Sequence, residues 1–558
     1  MNNLVLISDF NTDILGRYLS NSMALSGISV HSTPYGQVYQ SLLSMAGDEH
    51  KESAVFLWTM PENVLTTYAD ALLYKPVDHD AVLEELDNYI DAVRSSLVNV
   101  KYLFHPSWVL PIRERGYGIL DYSHGLGLSN LLARMNLRLS ERFRDLANVF
   151  MLNTENWLRA AGSRPAPAKM WFASKVPYNN AVFQEAAKEI AAALDGLAGK
   201  AKKLVIVDLD NTIWGGIVGE SGWRGIRLGG HDYVGEAFVY FQKRLKALTE
   251  RGVQLGIVSK NDESVALEAI DLHPEMYLKR ADFAGWRINW DDKARNIVDL
   301  VDELNLGPDS VVFLDDNPAE RARVSEALKG VLVPELPSDP SEYGSALIAL
   351  KCFDTPSLGP DDRNRSRMYS AERVRRQLRE TMSSHDSWLQ SLGMKVLVER
   401  LNQKNLPRAA QLLNKTNQMN MQTRRMSEQE LSDWAGAEGR RLWTFRLSDR
   451  FGDSGISGII SVDIKEDAAY IVDFVMSCRV MGRQLEKVMI NTVVKYVNEN
   501  KRSEEIVAEY MQTERNRPCM EFWEGSGFSE REKNRYYWRA DDEYHAPDYI
   551  KVEQGDEQ

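Results

Sequence analysis

Short hydrophobic runs alternate with amphipathic stretches through the first two thirds of the chain. "LVLIS" at 4–8, "AVFLWT" at 54–59 and "NVFMLN" at 148–153 are too short for buried helices and read as strands. Residues 81–97 between them carry apolar positions at helical spacing. Strands alternating with helices predict a parallel sheet with helical crossovers. "NNAVFQEAAKEIAAALDGLAG" predicts a helix that stops at Gly199, ahead of a Lys-rich stretch. A first α/β domain is therefore expected over 1–198.

The same alternation returns over 199–353. Strands are predicted at 203–208, 254–259, 310–315 and 330–334, and helices at about 235–251, 262–270 and 292–305. An Arg-rich segment at 361–381 predicts a helix within a linker, 354–389. Beyond it the pattern changes. "MKVLVERL", "LWTFRLSD", "ISGIISVDIKED" and "AAYIVDFVMS" follow one another at hairpin spacing. A helix at about 483–499 and the strand "EIVAEY" come next, so 390–545 predicts an α+β domain with a mostly antiparallel sheet. Residues 546–558 form an acidic tail. The fold class expected is α/β multidomain, and no internal repeat is visible.

Composition narrows the partners. Of 558 residues, 44% are hydrophobic and 26% charged, which suits a globular chain of several domains. A net charge of −13 opposes nucleic acid as a main partner, because phosphate backbones want a basic surface. No apolar run is long enough to span a bilayer, so no membrane insertion is expected. The start has no basic leader followed by a long apolar stretch. With three cysteines and no metal-type spacing among them, the expectation is a cytoplasmic protein with reduced thiols.

"LVIVDLDNTIWGGIVGE", 204–220, carries the candidate chemistry. Asp208 ends a buried strand and Asp210 lies two residues on, at the edge where parallel sheets place their ligands. A carboxylate can attack phosphorus, and a second can pass a proton to the leaving group and then activate water. Ser259 ends "LGIVSKN" and can bond a phosphate oxygen. Lys293 in "NWDDKARN" can neutralise phosphoryl charge. Asp315 and Asp316 end "VVFLDDN" and can hold Mg2+ with Asp208. Taken singly each is a common loop or capping residue. Their order, each after a predicted strand, sets them apart.

These motifs resemble the haloacid-dehalogenase (HAD) phosphohydrolase superfamily. "DLDNTIWGGIVGE", "VSKND", "HPEM", "INWDDKARN" and "FLDDNPAER" resemble its FkbH-like branch, in subfamily IIIC, over about 204–325. The resemblance implies a Rossmann-like central sheet, with Asp208 as nucleophile and Asp210 as acid/base. It implies Mg2+ held by Asp208, by the backbone carbonyl of Asp210 and by Asp315 or Asp316, with phosphate bound by Thr212, Ser259, Lys260 and Lys293.

A second constellation lies at "VMSCRVMGRQLEKVMI", 475–490: a strand, a basic loop with Gly482, then a helix. Backbone N–H groups at that helix start, with Arg479 and Arg483, would hold an anion. This loop, and "ERNRPCMEFWEGSGF" at 514–528, resemble the GNAT acyltransferase fold, although Gln484 stands where its acyl-donor loop has a small residue. Cys478 sits at the loop's mouth, either as a thiolate favoured by this setting or as an inert strand-end Cys. "LLNKTNQMNMQTRR", 412–425, reads either as a polar wall for a hydroxylated acyl group, through Asn414 and Asn417, or as a capped helix end with a solvated loop. The first domain is similar to a flavodoxin/SGNH-type esterase fold, with Ser8 in "ISDFN". It lacks Gly-Asp-Ser and a convincing Asp-x-x-His, which implies a degenerate or docking domain. Trp171, Phe172 and Tyr178 read as interdomain packing.

The FkbH-like resemblance implies transfer of a glyceryl group from 1,3-bisphosphoglycerate to the phosphopantetheine thiol of an acyl carrier protein. Two readings compete: a plain Mg2+-dependent phosphatase with a degenerate third domain, and a non-catalytic scaffold docking a carrier.

Overall fold

The computed structural model describes the chain apart from residues 1–2, 23–26, 46, 48–49, 163–164, 167, 231, 357–374, 376–377, 380–381, 383, 466–467, 501–502 and 556–558. It is a mixed α/β multidomain fold that divides into two compact units, residues 1–195 and 196–558. Among the described residues, no helix is long and apolar enough to cross a membrane. The predicted helix at 361–381 lies largely outside the described residues.

The first unit is built on a parallel sheet: β1 (Asn3–Ser8), β2 (Ser29–Ser32), β3 (Ser53–Trp58), β4 (Tyr102–Pro106) and β5 (Val149–Leu152), in the order β2-β1-β3-β4-β5. β3 is buried along its whole length, which parallel sheets covered on both faces require. Helices His79–Ser96 and Leu128–Phe143 bring Val82, Leu86, Ile90, Leu131, Met135 and Leu139 into one core. β2 and β4 go beyond the predicted strands. β2 is polar and mostly exposed, and β4 ends in His105–Pro106, which breaks its apolar run.

The second unit opens with a four-stranded parallel sheet: β6 (Leu204–Val207), β7 (Gln254–Ser259), β8 (Phe283–Ile288) and β9 (Val311–Leu314), in the order β8-β7-β6-β9. β6 alternates between two cores: Leu204 and Ile206 pack on one side, Val205 and Val207 on the other. Each such buried aliphatic side chain contributes roughly 1.5–3 kcal/mol, which fixes the strand and the loop that leaves it. The strand expected at 330–334 is only a single bridge, Val312 to Leu332.

The rest of the second unit forms a larger, mostly antiparallel sheet: β10 (Lys395–Arg400), β11 (Met419–Asn420), β12 (Arg440–Asp449), β13 (Gly452–Ile464), β14 (Ala469–Met476), β15 (Glu505–Glu509), β16 (Ser529–Glu532), β17 (Arg535–Arg539) and β18 (Lys551–Gln554). The helix Leu485–Asn500 packs Val488, Met489 and Val493 into its core. β14 pairs with β15 only along Ala469–Ile471. Beyond that point β11 pairs with β14, at Met476 and Val475. The terminal residues do not simply trail away: β18 adds to β10 in parallel.

Candidate active site

The three carboxyl-edge loops of the central sheet converge. Asp208 directly follows β6, and its N–H bonds the Leu314 carbonyl at the end of β9 (2.9 Å), so the two strand ends are tied together. One carboxylate oxygen from each of Asp208, Asp315 and Asp316 lies within 4.8 Å of the others. Lys293, the first residue of the helix Lys293–Glu303, places its ammonium 2.6 Å from Asp315 Oδ2 and 3.0 Å from Asp208 Oδ1. The second contact is an ion pair at a buried oxygen, and the Ser259 hydroxyl and the Lys293 ammonium both favour the Asp208 carboxylate.

The electrostatics follow from burial. Burial foremost, with the neighbouring Asp315 charge, pushes the Asp208 carboxyl well above its ordinary range, against the pull of Lys293. Burial and Asp315 likewise raise Asp316. For Lys293, burial works downward, but Asp208 and Asp315 hold it above its usual value. Three carboxylates facing one ammonium leave negative charge uncompensated. A hard divalent cation with a few carboxylates and several waters suits such a set, and each of the three carboxylates has an oxygen placed to serve as a ligand atom.

Around this cluster other side chains are fixed. Asp210 is not among the three converging carboxylates. Its Oδ1 accepts from Trp214 Nε1 (2.8 Å) and Val218 N (3.1 Å), and its Oδ2 from Asn261 Nδ2 (2.9 Å). Thr212 Oγ1 accepts from Asp316 N (3.1 Å) and donates to Asp316 Oδ1 (3.3 Å). Ser259 is buried at the end of β7, with Asn261 3.4 Å from its hydroxyl. Lys260 forms an ion pair with Glu320 at 2.7 Å, in the first turn of the helix after Asp315 and Asp316.

Asn261 and Arg321 belong to the site although the motif reading passed them over. Arg321 is buried and donates to the carbonyls of Asp315 (2.8 Å) and Asp316 (2.7 Å), fixing the loop that carries both carboxylates. The available signals were Asn261 two residues after Ser259 and Arg321 one turn into the helix Pro318–Ala327.

Cys478 lies at the other end of the central sheet. It lines a cavity of about 370 Å³ bordered by Lys203 before β6, Gln254 at the start of β7 and Asn305–Ser310 before β9. Arg479, Asn417, Arg408, Lys415 and Arg515 line it too. β6 with its flanking residues separates this cavity from Asp208 by about 16 Å at ordinary strand rise.

The basic loop differs from expectation in three ways. Arg483 is buried, with its guanidinium against Asp449 and Ser454 (both 3.4 Å) and the Arg479 carbonyl (3.1 Å), so it is not presented to a ligand. The helix Leu485–Asn500 begins well after Cys478, which instead opens the short turn Cys478–Val480. Gly482 (φ 77°) and Gln484 (φ 60°) take left-handed backbone that bends the loop, and neither they nor Arg483 line the cavity. Asn414 is spent on its own loop, bonding both backbone groups of Met426 (2.7 and 3.0 Å). Asn417 accepts from Arg425 (2.6 Å) and lines the cavity.

No family model matches the chain, and no curated protein does. Among solved structures, the N-terminal part of the protein BF1531 from Bacteroides fragilis, containing a phosphatase domain and complexed with Mg, is similar. It has 29% identity, covers 64% of this chain and 94% of its own, and gives a TM-score of 0.58. An acetyltransferase of the GNAT family from Staphylococcus aureus Mu50 matches at 10% identity over 26% of this chain and 99% of its own, with a TM-score of 0.21. Arabidopsis thaliana NAA60, solved with a bisubstrate analogue, matches at 13% over 26% and 97%, also at 0.21. The mixed α/β fold of this chain is thus shared, over almost two thirds of its length, with a structure that contains a phosphatase domain.

Proposed function

We propose that the chain is a Mg2+-dependent phosphoryl-transfer enzyme of the haloacid-dehalogenase type, coupled to acyl transfer. The observation that carries this reading is the convergence of Asp208, Asp315 and Asp316 around Lys293 at one sheet edge. The Mg2+ bound by the similar Bacteroides structure supports the same cation here, held by those three carboxylates. Bound there, the ion would neutralise phosphoryl oxygens.

Asp208 attacks phosphorus. Its carboxylate oxygen forms the new P–O bond while the ester or anhydride P–O bond breaks, and Asp210 gives a proton to the leaving oxygen. Asp210 then takes a proton from water, which attacks the phosphoaspartate, breaks the Asp208–phosphorus bond and releases inorganic phosphate. Ser259 and Lys293 hold the phosphoryl oxygens throughout. Thr212 keeps the Asp316 loop in register.

The substrate that best joins this site to Cys478 is 1,3-bisphosphoglycerate, as the FkbH-like resemblance implies. The Cys478 thiolate would attack its acyl carbon, forming a thioester and expelling phosphate. The phosphate ester would be removed at Asp208, and the phosphopantetheine thiol of an acyl carrier protein would take the glyceryl group. The basic lining of the Cys478 cavity supports an anionic arm. Incubation with Mg2+, 1,3-bisphosphoglycerate and phosphopantetheinylated carrier, read by mass spectrometry, should give glyceryl on carrier and on enzyme. Asp208→Asn should leave the phosphate in place, and Cys478→Ala should abolish both adducts. Phosphate release with no adduct on either protein would sink the acyl half.

One observation favours the plain phosphatase reading: about 16 Å of strand lies between Cys478 and Asp208, so no side chain passes an acyl group between them directly.

A further inference from the structure

The first unit holds a cavity of about 290 Å³ beyond the carboxyl ends of β3 and β4. This is where open parallel sheets place ligands. Its walls include Trp58, Trp108, Trp171 and Tyr178, together with the carboxyls of Glu62 and Glu114. The rings are held in place. Tyr178 stacks on Trp58 (5.2 Å between centroids, 17° between planes), and Trp108 Nε1 donates to Thr59 (3.0 Å). Tyr178 therefore packs inside this unit.

The acidic side of the cavity is incompletely satisfied. Glu62 Oε2 is buried and has no hydrogen-bond donor. Its neighbour Asp9 already accepts the Met60 N–H (3.0 and 3.2 Å). A buried carboxylate oxygen without a donor costs free energy that a ligand carrying both charge and N–H groups would recover. Burial, then the charges of Asp9 and Glu114, pushes Glu62 up to about 7, and burial pushes Asp9 up to about 6, although Arg113 also lines the cavity. One lining ring already accepts a cation, Lys175 over Trp171 (5.0 Å), and the lining Arg113 lies over the ring of Phe172 (5.5 Å).

We propose that this cavity binds a small protonated organic amine, with Glu62 as its counter-charge and Trp58, Trp108 and Tyr178 as its apolar walls. The ammonium would donate to Glu62 Oε2 and lie against the ring faces, and an alkyl tail would fill the remaining volume. The site is separate from the phosphoryl chemistry and does not depend on that reading.

The test uses the full chain at pH 8 and two probes of one shape. These are 3-methylbutylamine, which is cationic, and 3-methylbutan-1-ol, which is neutral yet still donates a hydrogen bond. Ligand-observed NMR titration should show the amine binding roughly tenfold more tightly than the alcohol. Glu62→Gln, which keeps the shape and removes the charge, should erase the preference. Equal binding of the two probes, saturation by neither up to about 10 mM, or an unchanged preference in Glu62→Gln would each overturn the proposal.

Discussion

Two parallel sheets in this chain end in carboxyls whose proton affinity burial raises, and the central one sets a lysine among them. In the central sheet Lys293 stands between Asp208 and Asp315. In the first unit, burial raises Asp9 and Glu62, and the charges of Asp9 and Glu114 raise Glu62 further, beside aromatic walls. The backbone places acids at both edges in the same way. Burial raises the carboxyls at both edges, Asp208 and Asp316 as well as Asp9 and Glu62, and in the central cluster an ammonium set against Asp208 and Asp315 pulls the other way. Sheet topology thus supplies the location of a site, and one cation supplies its chemistry.

The strongest way to break the contrast is to remove that cation. Lys293→Met keeps the length and loses the charge. It leaves Asp208 and Asp315 buried without their partner, which should cost about 3–5 kcal/mol of stability. Denaturant unfolding in EDTA should show the loss, and added Mg2+ should restore part of it. An unchanged midpoint in EDTA would mean that the cluster is hydrated and uncoupled, contrary to its burial.

What the sequence revealed divides along the same line. Asp208, Ser259, Lys293, Asp315 and Asp316 were legible because each follows a strand end or opens a helix, and β6 and β9 are short, wholly apolar runs. β8 was missed because "FAGWRI" mixes Gly285, Trp286 and Arg287 into its run, as an edge strand permits. Arg483 misled for a non-local reason: its partner Asp449 lies 34 residues away, on another strand. The Cys478 cavity draws on segments from the starts of β6, β7 and β9 and from the loop after β14, a juxtaposition no local pattern encodes.

A smaller effect sharpens the comparison from the other side. Glu62 titrates at about 7 when folded, against an ordinary value of 4.5. A raised carboxyl binds its proton more tightly in the folded state. Its contribution is fully present below the unfolded value and disappears as pH rises through about 7. Between pH 5 and pH 8 the first unit should therefore lose stability on the order of 2 kcal/mol through this group. Glu62→Gln should flatten that slope and leave the variant more stable than the parent at pH 8. Unfolding midpoints followed across the pH range would show both, and an unchanged slope would put Glu62 in solvent rather than at the cavity wall.

The smallest expected effect concerns the two ends of β6. Cys478→Ala removes a partly exposed thiol from the cavity at the strand starts, while the carboxylate cluster lies past the strand ends. β6 is buried on both faces by two separate cores, and close-packed side chains do not convey the loss of one sulfur atom over about 16 Å. Mg2+-dependent release of phosphate from a small phosphoester should change by less than about twofold, since sites this far apart with no shared partner are additive. A drop in phosphate release comparable to that of Asp208→Asn would mean that the thiol and the carboxylates act on one bound substrate. The two ends of the sheet would then have to be reckoned as a single active site that closes around the strand.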